Sequence, residues 1–170
     1  MHEQEIAEQD ELPEMEIVHP NRSKPAVQAT RSIVILLLLA SAALLVIITI
    51  GGWKALEGAK PEQIAYILIY LILAYYAGRW NRGVLPLSAA LAIILMIFAA
   101  IAAPGWFNRD KPGFTQTALH ANLLGLLTIL VIPLQLLLIV FAMRGFQQGW
   151  NVEEERPVGG GHSRYDVATA

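Results

Sequence analysis

The side chains best suited to binding a ligand lie near the middle of the last long apolar segment. Gln135 carries an amide that donates and accepts hydrogen bonds, and Pro133 frees the carbonyl oxygen of Ile129. Thr128 shares a helical stripe with Gln135, because seven helical steps return within about 20° of the starting direction. Broken helices near the membrane midplane form solute sites in transporters, although structural prolines are also frequent there. Thr128, Pro133 and Gln135 are therefore a candidate polar site, and a purely structural role is the simpler interpretation.

The long apolar segments contain no Asp, Glu, Lys, Arg, His or Cys, the residue types that most often perform catalysis or bind metals. Cysteine is absent, which excludes thiolate metal sites, cysteine nucleophiles and membrane thiol oxidoreductases. His120 lies beside an apolar segment, whereas the other histidines lie in the tails, so paired-histidine haem ligation within one chain is not expected. The sequence has no H-E-x-x-H or G-x-S-x-G motif, phosphate loop or dinucleotide fingerprint. We therefore predict no enzymatic activity, no metal and no cofactor.

The elements that position these side chains are four apolar segments without a charged residue. They are Ser32–Gly51, Gln63–Gly78, Leu85–Ala103 and Ala121–Met143. Twenty helical residues rise about 30 Å, which matches the hydrocarbon core of a bilayer. The pattern predicts an integral membrane protein that crosses the bilayer about four times.

The predicted fold class is all-α, an integral membrane four-helix bundle with up-down-up-down order. The link Asn81–Gly83 is so short that spans two and three are expected to be antiparallel neighbours. Pro104 to His120 is the longest predicted loop, because the pairs Pro104-Gly105 and Pro112-Gly113 are typical of turns.

Small and polar residues recur at helical spacing and predict the faces on which the helices pack. These residues are Ala40–Ala43 in the first span, Tyr66, Tyr70, Leu73 and Ala77 in the second, Ala89, Ala92, Met96, Ala99 and Ala103 in the third, and Ala121, Thr128, Gln135 and Ala142 in the fourth. Gln135 is accordingly expected to face protein rather than lipid.

Tryptophans and basic residues predict how the spans sit in the bilayer. Trp53, Trp80, Trp106 and Trp150 follow the ends of the four spans, where indole rings favour the headgroup level as interfacial anchors. With four spans, both tails lie on one side. Near the spans, that side carries Arg22, Lys24, Arg31, Arg79, Arg82, Arg144 and Arg156, and the other carries Lys54, Lys60, Arg109 and Lys111. The positive-inside rule therefore predicts a cell-membrane protein with both termini in the cytoplasm.

The tails complete the predicted domain organisation. Residues 1–31 are acidic, contain three prolines and are predicted to be a disordered tail. Residues 32–144 form the predicted bundle, and residues 145–170 an interfacial segment followed by a flexible tail. No basic, aromatic-rich surface suggests nucleic-acid binding.

Two functions fit these observations best, and a membrane enzyme that uses residues not singled out above is a third hypothesis. The first is an accessory, assembly or scaffold subunit of a larger membrane complex, whose partners are the lipid bilayer and other membrane subunits or further copies of itself. The second is a small oligomeric transporter or channel for a neutral solute, with a site near Pro133 and Gln135.

Overall fold

Long runs of leucine, isoleucine and alanine form four α-helices that dominate the protein. The computed structural model describes residues 15–109 and 111–157. Its helices are α1 (Pro25–Gly51), α2 (Lys60–Gly78), α3 (Val84–Asn108) and α4 (Ala121–Gln147), with short 3₁₀ turns at Pro20–Ser23 and Glu57–Ala59. Among the described residues, α1, α3 and α4 are long and apolar enough to cross a membrane.

The second predicted span forms a helix, α2, but this helix is not among those long and apolar enough to cross a membrane. α2 has only 19 residues, and its first turn contains Lys60 and Glu62. Four tyrosines further reduce its hydropathy. The sequence thus located all four helices, and three of them have the length and composition of a membrane span.

The helix boundaries differ from the predicted ones at several points. α1 begins at Pro25 rather than Ser32, because proline at a first helical position needs no backbone donor. α4 continues to Gln147 instead of ending near Arg144. α3 runs through Pro104 to Asn108, so the prediction of a loop starting at Pro104 was wrong.

Packing explains why α3 continues past its proline. Trp106 is buried in the turn that follows Pro104, and the ring of Phe107 lies against Gly125 of α4. Burial of large aromatic rings is worth several kcal/mol. This gain offsets the cost of about 3 kcal/mol for an internal proline, so the local turn signal is overridden.

The helices do not pack in simple chain order. α1 contacts both α2 and α4, and α4 contacts α3 extensively, whereas α2 and α3 contact each other much less. The short link had predicted that α2 and α3 would be close neighbours, but α1 and α4 occupy the centre of the bundle. The space between α2 and α3 is thereby left only partly filled.

The predicted packing faces are largely buried. Tyr66, Tyr70, Leu73 and Ala77 of α2 are all buried, as are Ala89, Ala92, Ala99 and Ala103 of α3 and Thr128, Gln135 and Ala142 of α4. The opposite faces carry large exposed apolar side chains, including Leu36 and Ile50 in α1 and Ile101 in α3. Ala43 of the α1 patch is exposed, and Ala40, Met96 and Ala121 are only partly buried, so helical periodicity identified most of the interior but not all of it.

Among the described residues, 15–20 and 152–157 form a second compact unit. Its strands β1 (Met15–Val18) and β2 (Glu154–Pro157) pair antiparallel, with Met15 opposite Pro157 and Val18 opposite Glu154. His19 lies 3.4 Å from Glu153 in the same unit. Both strands fall in segments predicted to lack regular structure. The rest of the predicted tails, residues 1–14 and 158–170, lies outside the described residues.

Candidate functional site

Three helices meet at a buried polar cluster formed by Ser41, Tyr70 and Gln135. The Tyr70 hydroxyl donates to Gln135 Oε1 over 2.9 Å, and Gln135 Nε2 donates to Ser41 Oγ over 3.0 Å. Ser41 in turn donates to the Leu37 carbonyl of its own helix over 2.7 Å. The hydrogen bonds therefore run from α2 through α4 to α1.

Each member of this cluster is placed by helical periodicity. Tyr70 lies on the buried face of α2, and Ser41 lies in the small-residue patch of α1. That patch lets α4 approach closely enough for the Gln135 amide to reach Ser41. Gln135 is 0% exposed. The prediction that it faces protein is confirmed, and its partners are on other helices rather than at Thr128.

The candidate site predicted from sequence does not come together as a unit. Thr128 donates to Leu124 within α4 over 2.8 Å. Pro133 is exposed on the outer surface of α4, whereas Gln135 points inward. Two helical steps rotate by about 200°, so these two residues lie on opposite faces. A ligand that contacts both side chains is therefore not favoured by this arrangement, although solute binding itself stays a prediction.

The cluster has the properties of a structural element. Within the described ranges, no buried side-chain nitrogen or oxygen lacks a hydrogen-bond partner. A buried polar group that is fully bonded rigidifies a bundle, whereas a ligand site usually presents unsatisfied groups to a cavity. Ser41 and Tyr70 are on predicted packing faces, but their spacing alone does not identify them as partners of Gln135. Their shared depth in the bundle is the signal that could have revealed the pairing.

A cavity of about 330 Å³ lies elsewhere in the bundle. Its walls are mostly apolar and come from all four helices and from the connection between α1 and α2. Thr128 and Val131 are its α4 residues, and Tyr66 is its aromatic residue on α2. Neither Gln135 nor Pro133 lines it. Of the three residues of the predicted polar site, only Thr128 therefore lines this cavity, together with the predicted interfacial anchor Trp106.

Charged and polar side chains gather at one end of the cavity. Glu62, Gln63 and Arg109 line it there, and Gln63 Oε1 lies 3.1 Å from the Thr49 hydroxyl of α1. Arg109 donates from Nη2 to the Ala55 carbonyl over 3.3 Å. The cavity is thus amphipathic, with an apolar body and a charged rim.

The opposite end of the bundle is closed by two tryptophans. Trp150 is 0% exposed, and its ring meets that of Trp80 edge-on at 5.6 Å between centroids. The Arg31 guanidinium lies 4.3 Å from the Trp80 ring centre and donates to the carbonyls of Ala77 and Gly78. Arg31 therefore binds the carboxyl end of α2, where the partial negative charge of the helix favours a cation.

The predicted interfacial anchors differ in exposure. Trp53 is 47% exposed, with the Lys60 ammonium 4.9 Å from its ring centre. Trp80 is half-buried, and Trp106 and Trp150 are buried within the protein. Trp53 is thus the ring most available to headgroups, and Trp106 and Trp150 act mainly through packing. Anchoring of the protein by these rings stays a prediction.

Comparison of the chain with protein-family models, curated proteins and solved structures finds no match. Three helices of sufficient length and apolar composition fit a membrane protein. The comparisons therefore assign no role to this chain.

Proposed function

We propose that this chain is a multi-pass protein of the cell membrane that crosses the bilayer with all four helices. Its role is that of a non-catalytic accessory, assembly or scaffold subunit of a larger membrane complex. One observation carries the proposal: no buried side-chain nitrogen or oxygen in the described residues lacks a partner within the protein, and Gln135 bonds α4 to α1 and α2, while the outer faces of the helices are apolar. Such a surface is suited to lipid and to other membrane helices.

Contacts between helix ends support the up-down-up-down order. Arg31 near the start of α1 bonds the end of α2, and Thr49 near the end of α1 approaches Gln63 near the start of α2. Arg82 before α3 donates to the Phe146 carbonyl near the end of α4 over 2.7 Å. These pairings are those of antiparallel neighbours.

α2 fits the bilayer as a member of the bundle rather than as an independent span. Lys60 and Glu62 at its start reach the headgroup region, and the exposed Tyr75 and Tyr76 near its end suit the opposite interface. Since α2 packs mainly on α1, it also leaves a broad apolar outer face, formed by Ile64, Leu68, Leu71, Ile72 and Tyr75. We propose this face as the contact for a partner helix.

Single-cysteine labelling tests the membrane topology, since the native sequence contains no cysteine. Asn108→Cys is expected to react with an impermeant reagent in intact cells, and Glu153→Cys only after permeabilisation. The reverse pattern would place both tails outside. Labelling of both positions from the same side would contradict four spans.

Mild-detergent extraction followed by native mass spectrometry tests the accessory role. We expect a stoichiometric protein partner that is lost in Leu68→Trp, where a large ring disrupts the α2 outer face. Ile94→Trp is the matched control, because Ile94 is an exposed residue of α3. A partner lost only in the control would move the contact to α3. A homo-oligomer with solute flux and no partner would instead support the transporter interpretation.

A further inference from the structure

The cavity between the helices has a lateral opening. Five of its lining residues are exposed: Ala59 just before α2, Glu62 in the first turn of α2, and Phe98, Ala102 and Gly105 on α3. Because α2 and α3 contact each other little, the opening lies between these two helices. In the proposed membrane orientation it faces lipid, and a ligand enters from the bilayer.

The size and lining of the cavity suit a hydrocarbon chain. Its volume of about 330 Å³ is at the lower end for ligand pockets. Ala99, Ala102 and Gly105 follow one another at spacings of three residues on α3 and form a stripe of small residues in its lining, beside the larger Leu95, Phe98 and Trp106. Leu45 and Ile48 of α1 form the opposite apolar wall. A flexible chain can fill such a space without displacing strongly bound water.

The rim of the cavity carries one cation and one anion. Arg109 is half-buried, and it is held by its bond to the Ala55 carbonyl and by the rings of Trp106 and Phe114, whose centres lie 5.8 and 5.7 Å from it. A guanidinium has five N–H donors, so this bond leaves others to bind an anion. Glu62 is exposed at the same rim.

We propose that this cavity binds one acyl chain of a phospholipid with a zwitterionic, primary-amine headgroup. Arg109 binds the phosphate through charge-assisted hydrogen bonds, and Glu62 accepts hydrogen bonds from the ammonium group. The two opposite charges of the rim match the two charges of that headgroup. An anionic headgroup satisfies Arg109 but is repelled by Glu62, which gives the site its selectivity.

The inference rests on the membrane insertion proposed above and is independent of the accessory role. The test uses the full chain in mild detergent, titrated with phosphatidylethanolamine or phosphatidylglycerol of identical acyl chains. Native mass spectrometry measures the first bound lipid. We expect a saturable site that prefers the ethanolamine lipid about threefold or more, as expected for a partly exposed ion pair.

Charge variants separate the two headgroup contacts. Arg109→Gln should weaken binding of both lipids about fivefold, while Arg109→Lys should retain most of the affinity. Glu62→Gln should abolish or reverse the headgroup preference. Lys111→Gln is the control, because Lys111 is exposed and does not line this cavity. Melting temperatures of all variants distinguish a lost site from a lost fold.

A cavity-filling variant tests the acyl-chain contact. Ala102→Phe should greatly reduce binding of both lipids, whereas Ala100→Phe should not, since Ala100 is exposed on α3 outside the cavity. Equal binding of both lipids by the native chain would overturn the inference. So would unchanged binding in folded Ala102→Phe, or unchanged binding of phosphatidylethanolamine in folded Arg109→Gln. Selective lipid binding without any protein partner would contradict only the accessory role.

Discussion

The two ends of the bundle are closed by different means. The Trp150 end, formed by Arg22, Arg31, Trp80, Arg82 and Trp150, is held by arginines that donate to backbone carbonyls. The Trp106 end is formed by Gly51, Gly52, Trp106, Leu119 and Gly125. At its glycines, large side chains pack directly against the backbone, in the space that a Cβ would occupy. The first end is filled, whereas the second lies beside the open cavity.

The two ends differ because different backbone groups lie there and need hydrogen-bond partners. At the Trp150 end, α2 and α4 finish, and their last carbonyls carry partial negative charge. Arg31 and Arg82 bond these carbonyls, and Arg22 Nε donates to the Trp150 carbonyl over 3.1 Å. At the Trp106 end, the Leu119 backbone amide donates to the Gly51 carbonyl over 3.2 Å. Among the described residues, the Trp150 end thus has three arginines bonded to carbonyls, whereas the Trp106 end has one, from Arg109 to Ala55, and depends more on close approach to the backbone.

The Trp150 end should be the more sensitive to truncation of its central ring. Trp150→Ala is expected to lower the free energy of unfolding by about 3–5 kcal/mol, because a fully buried indole leaves a cavity. Denaturant unfolding in detergent measures this change. Trp53→Ala is the control and should cost less than about 1 kcal/mol, since that ring is largely exposed. Similar losses in both variants would refute the packing role assigned to Trp150.

The Trp106 end should instead be sensitive to added volume. A Cβ at Gly52 would lie 2.6 Å from Trp106 Cη2, so Gly52→Leu is expected to destabilise the protein by about 1–3 kcal/mol. Gly105→Ala is the matched control, because a Cβ there meets nothing within 4 Å. Because Gly105 lies in a helix, its replacement by alanine should raise the free energy of unfolding by about 0.5–1 kcal/mol. A neutral Gly52→Leu would show that this end is loosely packed.

The middle of the bundle separates the structural and transport interpretations. Gln135→Leu removes the hydrogen bonds to Tyr70 and Ser41 while keeping a side chain of similar size. We expect the free energy of unfolding to fall by about 0.5–2 kcal/mol and cellular function to remain normal. A double-mutant cycle with Tyr70→Phe measures the contribution of that hydrogen bond. Normal stability together with abolished solute flux would favour the transporter and contradict the structural role.

The smallest effect on stability is expected from changes in the amino-terminal segment. Deletion of residues 1–18 removes β1 but no residue of the unit Asn21–Asn151. The melting temperature in detergent and the membrane fraction should both remain unchanged. A substantial fall in either would show that the amino-terminal segment contributes to the bundle, and Trp150→Ala provides the comparison for a large loss.

Much of the bundle could be predicted from the sequence because hydrophobic periodicity is a local property. The stripes on α2, α3 and α4 placed Tyr70, Ala92 and Gln135 inside, and the structure buries all three. Local signals were weaker at the boundaries. Pro104-Gly105 was interpreted as a turn, yet the next residue, Trp106, is buried and α3 continues.

Partnerships between helices depended on tertiary structure. The sequence placed Ser41, Tyr70 and Gln135 on packing faces, but only the packing of α1 between α2 and α4 brings them within hydrogen-bond distance. The cavity likewise exists because α2 and α3 remain apart despite their short link.

The sequence by itself determined where the four helices lie, apart from their ends, and most of the side chains that face the interior, because these depend on spacing within one segment. Tertiary structure decided that Trp150 is buried, that Pro104 lies within a helix and that Arg109 and Glu62 share a cavity rim. These outcomes depend on the packing of distant segments. The free energy of such contacts is gained only when the helices meet, so no local pattern records it.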